Sequence, residues 1–236
     1  MNTKTRIRNL RNIAPDYPRI PHFHKSISAM THDDIVTESK IEFPLECWVM
    51  EKVDGANIGA SWTSAPVLRN RNNILKKGYV EKDTPAKLQF RPAWNWAHKH
   101  GADIRKITDK LQSPITIYGE WMYAEHSLHY DRLPDLFLAY DIYVVEEHKF
   151  LAPDLFAELM ADTNISYIKP YKKTFHSMND VVVESERKSD FRNGIAEGIV
   201  MKIANKRYVT DSFKVVNKHF VRREDFNEVL IKNKTI

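Results

Sequence analysis

The chain has 236 residues, 42% hydrophobic and 11% aromatic, with a formal net charge of +5 and one cysteine. Such a composition supports one substantial core or two small ones and argues against disorder. No run approaches the roughly 18 apolar residues a membrane helix needs, and the amino end MNTKTRIRNLRN lacks the apolar stretch of a signal peptide, so a cytoplasmic protein with no membrane partner is expected.

Cys47 has no partner for an internal disulfide, and in PLECWVMEK it reads as a structural thiol on a buried strand. The mild positive charge fits a protein that meets phosphates. Basic residues gather at the amino end, over Arg69 to Lys77, and from Lys202 to Arg223.

In chain order, the first forty-odd residues read as an extended lead-in arm, because the prolines of PDYPRIPHF restrict themselves and their predecessors. LECWVMEKV and NIGASWT read as strands flanking a tight turn at Asp54-Gly55, with a short strand around Val67-Leu68. From Pro85 to Leu111 the residues Leu88, Trp94, Trp96, Ile104, Ile107 and Leu111 recur at helical spacing, and Gly101 divides the run into two helices. ITIYGEW and DLFLAYDIYVV have the length and β-branched content of buried strands. PDLFAELMAD opens on proline and predicts a helix, and another is expected from Asn179 to Lys188. GIVMKI and the segment around Phe213 to Val216 predict strands, and a helix from Arg223 to Ile231 closes the chain. Adjacent strand runs with irregular helices between them favour α+β with antiparallel sheets. No glycine-rich strand-to-helix turn and no G-x-x-x-x-G-K-[ST] is present, so a bound nucleotide would be held by side chains.

The most informative segment is Glu51-Lys52-Val53-Asp54-Gly55-Ala56-Asn57, where a lysine ends an apolar strand and a glycine turn comes next, placing the amine at a pocket floor. A lysine of ordinary pKa, ~10.4, is neutral in only roughly one molecule in a few thousand at pH 7. A nucleophilic lysine must therefore be retuned, and partial burial with Lys202 and Lys214 nearby is expected to lower its pKa. Asp54 acts in the opposite sense, which leaves it an orienting role. Alone, the segment is a weak signal, since a Val-Asp-Gly turn needs no function. Its weight comes from the ordered series downstream of it: Arg69-Asn-Arg71, Tyr118-Gly-Glu120-Trp, Leu138-Ala-Tyr140-Asp141-Ile142, Ala196-Glu197-Gly-Ile-Val-Met-Lys202 and Lys214-Val-Val-Asn-Lys218.

In these segments the sequence resembles the ATP-dependent RNA ligase family, within the covalent nucleotidyltransferase superfamily. YGEWMYAEHSLHYDRLP and YPRIPHF look like one clade of it. The resemblance implies an ATP-grasp-like ligase adenylation domain of antiparallel sheets flanked by helices. It implies one domain over 1–236: an arm and first elements (1–45), a catalytic core (46–220) and a carboxy-terminal helix (221–236), too short a tail for an oligonucleotide-binding barrel. It implies an enzyme that joins 5′-phosphate and 3′-hydroxyl RNA ends through a lysyl-AMP and an adenylylated 5′ end.

By the same resemblance Lys52 attacks the ATP α-phosphate, Glu51 contacts the adenine edge, Tyr140 stacks on the purine and Glu120 binds the ribose hydroxyls. Asn57 and Arg71, with Arg71 preferred to Arg69, touch the α-phosphate or the RNA phosphate. Glu197 holds Mg²⁺ or Mn²⁺, and Lys202 and Lys214 offset phosphoryl charge. The family's last motif often carries two lysines one residue apart. Here the second basic residue is Lys218, which departs from that spacing.

Each residue has an ordinary reading too: Glu120 and Asp141 as strand-end charges, Tyr140 as core, Lys202 and Lys214 as exposed strand lysines. The ordered set outweighs these readings. His126 and His129 beside Asp131 lack a further ligand cluster, so structural or substrate-contacting roles are expected before zinc. Trp94 and Trp96 read as packing residues. The expected partners are RNA ends, in a nicked duplex or single strands, with an end-processing kinase or phosphatase as a hypothesis. Arm residues Arg19, His22, Phe23 and His24 are candidates for RNA contact. A minimal ATP-dependent DNA ligase and a catalytically silent RNA-binding module are the rival readings, and a guanylyl-transferring capping enzyme fits the length less well.

Overall fold

The computed structural model describes residues 10–31, 34–38, 41–77, 84–223 and 230–236. Its strands form two antiparallel sheets. The first has the order β7-β1-β8-β9, with β1 Leu45–Lys52, β7 Tyr171–Phe175, β8 Gly198–Ala204 and β9 Val209–Val216. The second has the order β3-β2-β4-β5-β6, with β2 Ala56–Trp62, β3 Pro66–Asn70, β4 Ile115–Trp121, β5 Phe137–Val144 and the two-residue β6 Lys149–Phe150. The two strands that flank Asp54-Gly55 do not pair with each other. β1 pairs with β7 and β8, β2 pairs with β3 and β4, and the chain passes from one sheet to the other between them.

Among the described residues after the arm, whose residues 10–13 are also helical, the helices are α1 Pro85–Leu88, α2 Arg91–Lys99, α3 Gly101–Leu111, α4 Pro153–Ala161 and α5 Met178–Ser185. The break at Gly101 falls where expected, and a Cβ there would come within 2.2 Å of the Trp62 ring. α4 starts on proline, whose missing N–H costs nothing in a first turn. α5 is closed by Ser177 and Asp180, whose side chains satisfy each other's backbone N–H groups. The larger core lies under the five-stranded sheet, where Ile104, Ile107, Ile117, Trp121, Phe137 and Phe156 are almost fully buried. A smaller core under the other sheet joins Val49, Met201, Phe213 and Val181 to Phe23 of the arm.

The arm runs over both sheets. Its Ile13 carbonyl accepts from Thr116 Oγ1 at 2.7 Å and its Ala14 carbonyl from Arg69 Nη1 at 2.6 Å. Further on, Pro21 O accepts from Lys214 N, Phe23 N donates to Lys214 O (both 2.9 Å), and Ala29 N donates to Val216 O at 2.8 Å. The expected helix from Arg223 to Ile231 falls largely outside the described residues; 230–236 run extended, with bridges to Ala124 and Leu133. Among the described residues no helix is long and apolar enough to cross a membrane.

Candidate active site

Lys52 is the last residue of β1, at the point where the chain crosses between the sheets. The crossing is pinned. Asp54 Oδ2 accepts from Ser127 N (2.6 Å) and Leu128 N (3.1 Å), and Asp54 N donates to the Tyr130 hydroxyl at 2.8 Å. Gly55 is required by close approach, since a Cβ would sit 2.8 Å from the Trp121 carbonyl oxygen and from Met122 Sδ. Asp54 thus joins the crossing to the 127–130 segment. Beyond the turn opens a cavity of about 550 Å³, a size suited to a small-molecule ligand, lined among others by Lys52, Asp54, Asn57, Arg71, Glu120, Tyr140, Glu197, Lys202 and Lys214.

Carboxylates crowd the lysine. Lys52 Nζ donates to Glu197 Oε2 at 2.7 Å. Glu197 is 5% exposed, and burial, seconded by Asp54 and opposed by Lys52, pushes its carboxyl up to about 7. Burial likewise pushes Glu120 up to about 8, with Glu197 and Asp54 adding to it against Lys52 and Arg71. For Lys52, burial works to lower the pKa, but the charges of Glu197, Glu120 and Asp54 outweigh it and hold the ammonium above its ordinary value. The expectation that Lys202 and Lys214 would lower it is overturned, because both already have acidic partners. Lys202, 2% exposed, donates to Asp141 Oδ1 at 2.7 Å and to Tyr140 O at 2.9 Å, and the Tyr17 hydroxyl donates to the other Asp141 oxygen at 2.6 Å. Lys214 donates to Asp34 Oδ1 at 3.0 Å. In this state Lys52 carries its proton.

Other anticipated residues divide. Tyr140 faces the cavity with its hydroxyl bonded by Asn57 Nδ2. Arg71 is exposed at the cavity wall, whereas Arg69 is 1% exposed and committed to Ala14 O, Asn70 O, Arg71 O and Asp16. The Glu51 carboxylate is 2% exposed and accepts from Ser189 Oγ (2.5 Å) and Asp190 N (2.8 Å); an adenine contact by this side chain would require those bonds to be exchanged. Lys218 corrects an expectation, since it is exposed and does not line the cavity. In the arm, His22 and Phe23 are buried at 0% and 2%, so neither offers a surface to RNA, while Arg19 lines the cavity.

His126 lines the cavity and lies 3.2 Å from Gln89 Oε1 through Nε2, and burial lowers its pKa. His129 Nδ1 instead meets Glu125 Oε2 at 2.7 Å. Among the described residues no three His, Cys, Asp or Glu side chains converge as a ready cation site. Sequence reasoning missed Asp34 and Arg222, which also line the cavity. Arg222 belonged to the basic stretch already noted; nothing in the sequence around Asp34 pointed to Lys214.

Lys52 thus stands at the seam of two antiparallel sheets and faces a cavity lined by both carboxylates and cations, and similar solved structures share this fold. One is a lysine-to-alanine variant of the Naegleria gruberi RNA ligase with ATP and Mn, with TM-score 0.52 and 14% identity over 74% of this chain and 49% of that chain. Another is the Naegleria gruberi RNA ligase with PPi, with TM-score 0.54 and 17% identity over 74% and 50%. At such identities the likeness establishes the fold, and the chain spans about half the length of these ligases. The chain belongs to the RNA ligase family, whose model matches residues 45–216. No curated protein matches it.

Proposed function

We propose that the chain is an ATP-dependent RNA ligase in which Lys52 takes the adenylyl group of ATP, passes it to an RNA 5′-phosphate and leaves the activated end to a 3′-hydroxyl. The observation that carries this reading is the Lys52–Glu197 contact of 2.7 Å on the wall of a cavity of about 550 Å³ inside the family segment. In the first step the Lys52 nitrogen bonds to the α-phosphorus, pyrophosphate departs, and the amine must first give up a proton. Glu197 is the neighbour placed to receive it, and with its carboxyl raised to about 7 it is a better acceptor than an ordinary glutamate.

Tyr140 provides an aromatic face for the purine and Glu120 an acceptor for ribose hydroxyls. Lys202, fixed by Asp141, presents a rigid cation toward phosphoryl oxygens. Glu197 offers a single hard oxygen of the kind Mg²⁺ or Mn²⁺ takes, and the remaining positions would fall to substrate phosphates and water, since such ions commonly take one or two carboxylates plus phosphates. A bound cation would supply charge neutralisation at the phosphates.

Incubation with α-labelled ATP and either cation, with intact-mass measurement afterwards, should show one added AMP on the wild type and none on Lys52→Ala. An adduct of equal yield on that variant would refute the assignment. Sealing assays in parallel on nicked RNA, single-stranded RNA and nicked DNA separate an RNA ligase from a minimal DNA ligase, and adduct without sealing of any substrate would sink the ligase reading.

A further inference from the structure

We propose that Asp34 is a built-in stand-in for phosphate in the cavity that holds Lys52, and that its charge opposes the return of pyrophosphate after Lys52 has been adenylylated. The inference rests on the ligase reading. Both Asp34 and its partner Arg222 lie outside residues 45–216, the segment matched by the family.

The Asp34 carboxylate is held as a bound anion would be. Oδ1 is 3.0 Å from Lys214 Nζ and 3.4 Å from His22 Nε2, and Oδ2 is 3.6 Å from Arg222 Nη2. These groups come from three separate segments: the arm, β9 and the stretch after β9. Thr31 fixes the carboxylate from its own side, donating N–H at 2.9 Å and Oγ1–H at 3.0 Å to Oδ2. The side chain keeps 14% exposure and lines the same cavity as Lys52. To an ammonium and a guanidinium, a carboxylate and a phosphate present the same thing, paired anionic oxygens.

The positions proposed for purine and ribose, Tyr140 and Glu120, are on the five-stranded sheet. The four-stranded side, with Lys214 and Arg222, is thereby left for the phosphates beyond the α-phosphorus. Once pyrophosphate departs, a tethered carboxylate re-pairs with those cations at an effective concentration that free pyrophosphate must match. Reversal requires a pyrophosphate oxygen to bond to the α-phosphorus while the P–N bond breaks, its electron pair staying on Lys52 nitrogen, which takes one proton to restore the amine and release ATP.

The test uses full-length protein charged with ATP, freed of nucleotide and titrated with inorganic pyrophosphate, loss of AMP being tracked by intact mass. Asp34→Asn, nearly isosteric, should lower the half-saturating pyrophosphate concentration roughly tenfold, and Arg222→Gln should raise it. If Asp34→Asn requires as much pyrophosphate as wild type or more, the carboxylate merely positions Lys214 and the proposal is overturned. Should melting curves show that Asp34→Asn does not fold, Arg222→Gln decides, and an unchanged half-saturation concentration overturns the proposal. A wild type that never acquires AMP would instead refute the ligase reading itself.

Discussion

Glu120 carries a cost that can be measured without any substrate. Its carboxyl is raised from 4.5 to about 8, chiefly by burial and then by Glu197 and Asp54. Because the folded state holds this proton to higher pH than the unfolded chain does, the stability contributed by Glu120 is fully present below about 4.5 and is lost as pH climbs toward about 8. The full shift corresponds to roughly 3–4 kcal/mol between pH 5 and pH 8; since the residue is partly exposed, solvent screening brings the expected loss to about 2 kcal/mol. Glu120→Gln removes the titration and also relieves Glu197 of a like charge. Urea unfolding at unit steps from pH 5 to pH 8 should therefore show the variant more stable than wild type at pH 8 by about 2 kcal/mol, with little difference at pH 5. Parallel pH profiles for the two proteins would show that Glu120 is solvated and that the crowding of carboxylates around Lys52 is not felt.

Asp141→Ala should destabilise by about 3–5 kcal/mol in the same assay, because it strands the Lys202 ammonium in a buried site, while Asp141→Leu with Lys202→Met should recover most of the loss. Gly198→Ala places a Cβ 2.0 Å from the Val215 carbonyl oxygen and should cost at least about 2 kcal/mol, read as a lowered melting temperature. Arg69→Ala, by leaving the Ala14 carbonyl without its guanidinium donor, should open residues 10–20 to limited proteolysis at concentrations that spare wild type. Lys218→Ala should leave AMP-adduct formation within about twofold of wild type and Lys214→Ala should depress it at least tenfold, in line with the exposed and cavity-facing positions of the two lysines.

Most long strands were legible because they are apolar runs bounded by turn residues, and β4 coincides with ITIYGEW, whereas of β9 only the apolar end Phe213 to Val216 was expected and the polar TDS before it gave no signal. β7 was not, since YKKTF is an edge strand whose exposed positions are Lys172 and Thr174, with the half-buried Lys173 between them, which dilutes the apolar signal. Which strands pair was also hidden: the turn after Lys52 looks like a hairpin locally, yet β2 finds its partner in β4, about sixty residues on, and β1 finds β8 later still. The segments that line the cavity were legible from their order along the chain, except that Lys218 lies outside it. Their ion-pair partners were not, because these lie far off in sequence: Asp141 is 61 residues from Lys202, and Asp34 is 180 residues from Lys214. Two cations expected to act on Lys52 turned out to be answered by acids that no local pattern could have assigned to them.

The arm has a mechanical consequence. It is stitched to β3 and β4 through Ile13 and Ala14 and to β9 through Pro21, Phe23 and Ala29, so within about sixteen residues it ties the two walls of the cleft together like a strap across open jaws. For the walls to swing apart, those hydrogen bonds would have to break or the residues between them would have to straighten.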